Sequence, residues 1–349
     1  MADIFTCPPL TRESVKTAHE IIKPYVHLTP VVTCSTLDAL SNGNKLLFKC
    51  ENTQKIGAFK ARGAFHALSH LLSNVGHEAL CASGGVITHS SGNHAQALAL
   101  AAKTFNVPAH IVMPSISAPS KIAGTEQLGA RIAFSGSNSE EREALVEEIR
   151  AKTGATLVPP YDHPDIILGQ GTLALEFEEQ VKALSVSGGL DAVIAPIGGG
   201  GMMGGVCTAL EGTGIRCFGA EPAFQGANDC EKGLREGKRV ESVNSLTIAD
   251  GARTPVGEIP WKILTDKKKF AGVYSVSEDE IKMAMRLLME RAKVFVEPTA
   301  ALGLAVVLFN QEFRELIKDK GWNIGVVLSG GNTTVEALAK LFKDDSDNM

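Results

Sequence analysis

The stretch Leu190-Asp191-Ala192-Val193-Ile194-Ala195-Pro196-Ile197-Gly198-Gly199-Gly200-Gly201-Met202-Met203-Gly204-Gly205-Val206 decides how this chain is read. An apolar run of strand length breaks into consecutive glycines and resumes as a helix of small and apolar residues. With no Cβ atoms in the way, backbone N–H groups at such a helix start can close on an anion, so the segment reads as a phosphate cup. It matches neither Gly-x-x-x-x-Gly-Lys-Ser/Thr nor a clean Gly-x-Gly-x-x-Gly opening a first βαβ unit, which weakens nucleoside triphosphate and dinucleotide readings. A plain turn between strand and helix stays open on this segment alone.

Outward from that stretch, short β-rich runs alternate with longer segments of helical period. Candidate strands cover 46–50, 85–88, 110–113, 131–134, 156–158, 192–194, 215–220 and 324–328, and candidate helices 95–104, 140–152, 172–182 and 278–293. The alternation predicts an α/β architecture with a mainly parallel sheet covered by helices on both faces. Loop-rich stretches at 80–85 and 158–164 bracket a run of strand and helix. They predict a small domain, residues 81–157, set into a large one built from 1–80 and 158–349.

At 349 residues, with 44% hydrophobic and 21% charged, the chain can bury a large core. A net charge of −5, with no Lys/Arg cluster interleaved with aromatics, argues against nucleic acid as the main partner. The longest uncharged apolar run, Ala300 to Phe309, is too short to span a bilayer, and no basic region followed by a hydrophobic stretch opens the chain. A cytoplasmic protein with no membrane partner is expected. The cysteines at 7, 34, 50, 81, 207, 217 and 230 form an odd set without Cys-x-x-Cys, and read as reduced thiols, most of them core fillers.

Three further segments carry chemistry-bearing side chains. In Gly57-Ala58-Phe59-Lys60-Ala61-Arg62-Gly63-Ala64, small residues crowd one lysine at a helix start, the space a Schiff-base lysine requires, although taken alone Lys60 reads rather as a solvated surface residue. Thr88-His89-Ser90-Ser91-Gly92-Asn93-His94-Ala95 joins a strand to a helix with donors suited to a carboxylate, or with ordinary caps. Leu328-Ser329-Gly330-Gly331-Asn332-Thr333 repeats the strand-to-glycine-turn pattern.

In this order, from Thr29-Pro30 to Asn332, the motifs resemble fold-type II pyridoxal-phosphate enzymes, nearest the serine racemase and serine/threonine dehydratase group. The resemblance implies a tryptophan synthase β-like fold, two parallel-sheet α/β domains with the cofactor in the cleft. It implies Lys60 as the catalytic Schiff-base residue and Phe59 and Asn93 against the ring. Gly198, Gly199, Gly200, Gly201 and Met202 would face the phosphate, and Ser329 the pyridine nitrogen. Ser90, Ser91, Asn93, His94 and Arg142 would meet the substrate, with Ser91 acting on the face opposite Lys60. A magnesium or other divalent cation is implied at Glu221, Ala227 and Asp229, on a loop two residues longer than in the racemases; Asp229 as a helix-cap residue is the alternative.

The implied reaction is dehydration of a small 3-hydroxyamino acid (L-serine, L-threonine or threo-3-hydroxyaspartate) to a 2-oxo acid and ammonia, with serine racemisation, in a homodimer. A dedicated racemase with little elimination and a β-replacement synthase are alternatives on the same fold. A non-catalytic amino-acid sensor would be expected to lack the lysine or the glycine cup, and both are present.

Overall fold

The computed structural model describes residues 6–90, 92–117, 119–136, 139–184 and 186–343. Two sheets organise them. The first runs in the order β1-β2-β10-β7-β8-β9 and is built from Val31–Thr33, Lys45–Lys49, Asn323–Val327, Ala192–Pro196, Arg216–Pro222 and Gly272–Val276. Only the β1–β2 pairing is antiparallel. The second, β5-β4-β3-β6, is wholly parallel and consists of Arg131–Ser135, Ala109–Pro114, Val86–His89 and Thr156–Leu157. Every strand of the second sheet therefore enters the chain between β2 and β7.

The central strands β7 and β10 are buried almost throughout, as continuous apolar runs in a parallel sheet covered on both faces should be. The Pro298–Phe309 helix, apolar all round, fills one side; the Pro164–Ala183 and Gly201–Ala209 helices pack against each other on the other. The Lys60–Val75 helix links the two halves. It lies against both Pro164–Ala183 and Asn93–Thr104, and its Ala61, Phe65 and Leu68 join the core of the second sheet. Contact with Pro164–Ala183 is close enough that a Cβ on Gly169 would come within 2.7 Å of the Gly63 Cα, so the crossing requires glycine on both sides.

Expected and observed elements differ where local pattern is weak. The helix expected from residue 172 begins at Pro164, because Gly169 and Gly171, which look like breakers, are contact points within it. β1 and β9 escape the sequence reading: one has three residues, the other is half-buried along most of its length at the sheet edge. The stretch 278–293 is helical from Glu278 to Leu287, then widens into a π-turn over Leu288–Ala292 and ends with Lys293 at φ +62°.

Candidate active site

β7 ends at Pro196, and the glycine run turns directly into the Gly201–Ala209 helix, with Gly200 at φ +81°. Side chains are excluded here by packing as well as backbone twist: a Cβ on Gly199 would lie 2.2 Å from the Tyr161 ring, and one on Gly198 2.3 Å from the Gly251 carbonyl. The result is a backbone cradle at the carboxyl end of a central parallel strand, with the unpaired N–H groups of a helix start beside it.

Lys60 opens its helix, as its small neighbours suggested. Its Nζ donates to the Pro160 carbonyl at 2.7 Å and sits 5.2 Å from the centre of the Phe59 ring. Burial of the amine lowers its pKa to about 8. Pro160 precedes Tyr161, whose ring and backbone wall the glycine cradle, so one short segment touches both the lysine and the cup. The turn after β10 comes to the same place. The Phe59 N–H donates to the Ser329 carbonyl at 3.0 Å, and Ala58 bridges to Gly330.

Ser329 is 2% exposed and its Oγ, buried, has no hydrogen-bond partner. A buried orphan hydroxyl costs about 1–3 kcal/mol, a cost that a ligand acceptor would remove.

The β3-to-helix segment supplies the remaining wall. Ser90 Oγ accepts the Gly92 N–H at 3.3 Å, and Asn93 begins the Asn93–Thr104 helix. Asn93 donates to Glu297 at 2.8 Å and accepts from Asn332 at 2.8 Å. His94 is buried, with Nε2 donating to the Val158 carbonyl at 3.2 Å; burial, then the positive charge of Lys60, lowers its pKa to about 3, so it is neutral. Ser91 lies outside the described residues. Arg142, half-buried on the Ser139–Thr153 helix, is near enough for its charge to depress the pKa of His89, after burial, and to act on Tyr161.

Two participants went unread in the sequence. Glu297 is buried against Gly330 and tied to Asn93; burial, then the charge of Asp250, raises its pKa to about 7. The signal available was a carboxylate just before Pro298 in an otherwise apolar segment. Lys121 pairs with Asp250, joining the Pro119–Glu126 helix to the turn at 250–252; nothing local announces it.

Residues 22–330 match the family model described as pyridoxal-phosphate dependent enzyme. The chain belongs to the pyridoxal-phosphate dependent enzyme family. Within this family it is 41% identical to a serine racemase from Arabidopsis thaliana, over 95% of each chain. It is 42% identical to an L-threo-3-hydroxyaspartate ammonia-lyase from Saccharomyces cerevisiae, over 97% of this chain and 98% of that one. The structure of maize serine racemase superposes with a TM-score of 0.86 at 38% identity, covering 97% of this chain and 98% of the other. The family's fold is the two-sheet arrangement described above, and no helix among the described residues is long and apolar enough to cross a membrane.

Glu221 lies near the end of β8, and Asp229 opens the Asp229–Glu236 helix beyond the loop that follows. Both are buried. Glu221 accepts the N–H groups of Cys230 and Glu231 at 3.0 and 2.9 Å and so caps the Asp229–Glu236 helix, while Asp229 supplies a carboxyl in its first turn. Asp229 Oδ2 accepts the Val256 N–H at 2.9 Å, while its Oδ1 is buried without a partner. Burial, then the charge of Asp229, raises the Glu221 pKa well above the carboxylate range, and burial raises that of Asp229 to about 6. Two buried carboxyls, a buried Ala227 beside them and an orphaned oxygen fit a hard cation with oxygen ligands.

Proposed function

We propose that the protein dehydrates a small 3-hydroxyamino acid to a 2-oxo acid and ammonia and racemises serine. The observation that carries this reading is a buried lysine amine joined through Pro160-Tyr161 to a side-chain-free cradle, with the orphaned Ser329 hydroxyl alongside. The three features fit pyridoxal phosphate. Lys60 would hold it covalently, the backbone of Gly198, Gly199, Gly200, Gly201 and Met202 would meet its phosphate, Ser329 would meet its pyridine nitrogen, and Phe59 and Asn93 would flank the ring. When bound, the cofactor supplies an electron sink that acidifies the α-carbon of an amino acid.

The chain's own groups do the rest. Lys60, freed when the substrate's amine takes its place and with a pKa brought near the working range, removes the α-proton on one face. Ser91 serves the opposite face, where returning a proton gives the other enantiomer. Ser90 and Asn93 orient the substrate carboxylate at the helix start, and neutral His94 beside Lys60 adds no second cation. The Ser329 hydroxyl cannot hold a proton on the pyridine nitrogen as a carboxylate would, which favours prompt loss of the β-hydroxyl over prolonged charge delocalisation into the ring. The Lys121–Asp250 pair supports a small unit, 81–157, that closes on the large one. A cytoplasmic homodimer completes the reading, supported on the first point by seven cysteines that form no disulfide.

Incubating the holoenzyme with each enantiomer of serine, with L-threonine and with L-threo-3-hydroxyaspartate, and measuring oxo acid and enantiomer together, tests it. Oxo acid with D-serine from L-serine is expected; no oxo acid, with cysteine formed from serine once sulfide is added, would point to a synthase instead.

Arg142 would receive a distal carboxylate, for which its planar fork is suited. Arg142→Ala should lower kcat/KM on 3-hydroxyaspartate by roughly 10–100-fold, as expected for a lost charged hydrogen bond, and leave serine nearly unchanged. Parallel losses on both substrates would remove the distal-carboxylate role.

The same reading places a magnesium or other divalent cation at Glu221, the Ala227 carbonyl and Asp229, where it would neutralise the buried carboxyls and stiffen the loop after β8. Exhaustive chelation should lower the melting temperature and magnesium restore it, because a ligand that binds only the folded state stabilises it. The response should vanish in Asp229→Asn. An unchanged melting temperature on chelation would leave Glu221 as a helix cap alone.

A further inference from the structure

Outside the cleft, the start of the Pro164–Ala183 helix carries a cluster that the reaction does not use. The Cys7 thiol, a ring nitrogen of His163 and a carboxylate oxygen of Asp165 all lie within 4.8 Å of one another. His163 and Asp165 are buried, and the Asp165 Oδ1 has no hydrogen-bond partner. The other oxygen, Oδ2, receives the Cys7 thiol at 3.5 Å and His70 Nδ1 at 2.9 Å. Asn74 lies 3.3 Å from His70 Nε2; its amide donates there, so the histidine proton is on Nδ1 and points at the carboxylate. A second histidine, His66, stacks parallel to His70 and donates from Nδ1 to the Asp165 carbonyl at 2.7 Å. Both come from the Lys60–Val75 helix, one turn apart.

We propose that Cys7, His163 and Asp165 form a binding site for zinc or a similar divalent transition metal, with His70 orienting the carboxylate ligand. A thiolate, an imidazole and a carboxylate make a mixed set that zinc accepts at about 2.0–2.3 Å per bond, whereas magnesium and calcium call for oxygen ligands throughout. The site is thus distinct in chemistry from the all-oxygen one at Glu221 and Asp229. Solvent supplies the fourth ligand, and the Cys7 proton leaves to solvent as the metal–sulfur bond forms. His70 stands where outer-shell histidines stand in metal sites, donating to a ligating carboxylate and holding it in place. The metal would fasten the segment around Cys7 to the helix whose preceding residues, Pro160 and Tyr161, touch Lys60 and the glycine cradle.

Cobalt alone, titrated into metal-stripped, cofactor-loaded enzyme, gives the test, because a thiolate–cobalt charge-transfer band reports sulfur ligation that an all-oxygen site cannot produce. The band should grow to one equivalent, be displaced by zinc and be lost in Cys7→Ser. It should persist in Cys81→Ser, which removes the other thiol near a histidine, 3.7 Å from His77. His70→Gln should keep the band but weaken binding about 10–100-fold. No band in the unsubstituted protein, a band that survives Cys7→Ser, or one lost in Cys81→Ser would overturn the proposal. Retained cofactor absorbance and an unchanged circular dichroism spectrum identify variants that have folded.

Discussion

Lys60→Ala abolishes turnover and removes the visible absorption of the bound cofactor, the largest catalytic loss expected anywhere in the chain. No neighbour can take over. Among the described residues near the cleft, His94 is held neutral and turned to the Val158 carbonyl, Lys121 is paired with Asp250, and the guanidinium of Arg142 is no Schiff-base nucleophile. Burial would also suit the amine to that task. At a pKa of about 8 rather than 10.5, roughly 300-fold more of it is neutral at pH 7 than for an ordinary lysine, and only the neutral amine is a nucleophile or a base.

Reconstitution of the cofactor-free protein should therefore accelerate with pH through about 8 and level off above it. An ordinary lysine would still be accelerating beyond pH 10. Absorbance growth after mixing with pyridoxal phosphate measures this directly. Full activity in Lys60→Ala would sink the assignment, and a rate still rising steeply past pH 9 would show that burial does not tune the amine.

The cleft was legible where backbone chemistry is written into local sequence. Four consecutive glycines after an apolar strand can do little except bring backbone close to something, and the structure fills the space where their side chains would be with Tyr161, Gly251 and Pro260. Lys60 at a helix start and the turn at Ser329 were equally visible, because small residues must flank groups that converge. The two-sheet α/β fold followed from the strand–helix alternation together with the family resemblance.

What stayed hidden depends on contacts distant in sequence. Glu297 and Asn93 are 204 residues apart, and no local pattern shows that they meet. Gly169 looked like an interruption because its partner, Gly63, belongs to another helix. Cys7, read as one of several core-filling thiols, stands beside His163 and Asp165 only because the N-terminal segment folds back onto the Pro164–Ala183 helix.

Arg62, read only as part of the lysine motif, is the other residue whose replacement should have a large effect, this time on stability. It is fully buried two residues after Lys60 and donates twice to Glu51, at 2.7 and 2.9 Å, and twice to Glu176, at 2.9 and 2.7 Å. Lys49, also fully buried, completes the set by donating to Glu176 at 2.9 Å, so two cations balance two carboxylates. Burial by itself would raise the Glu176 pKa, yet the hydrogen bonds and charge of Arg62, then Lys49, hold it below its ordinary value. That contribution is complete above the unfolded carboxylate range and is lost as pH falls through the folded value.

Arg62→Met keeps an unbranched apolar stem and leaves two buried carboxylates with one cation. A loss of about 3–5 kcal/mol in unfolding free energy is expected, the usual cost of an uncompensated buried charge. The double variant Arg62→Met/Glu51→Gln leaves Lys49 and Glu176 as a balanced pair, and should lose less than the single variant. Denaturant midpoints of the two proteins decide the matter. A double variant weaker than Arg62→Met would mean that hydrogen-bond geometry, rather than charge balance, holds the Lys60–Val75 helix to the strand before it.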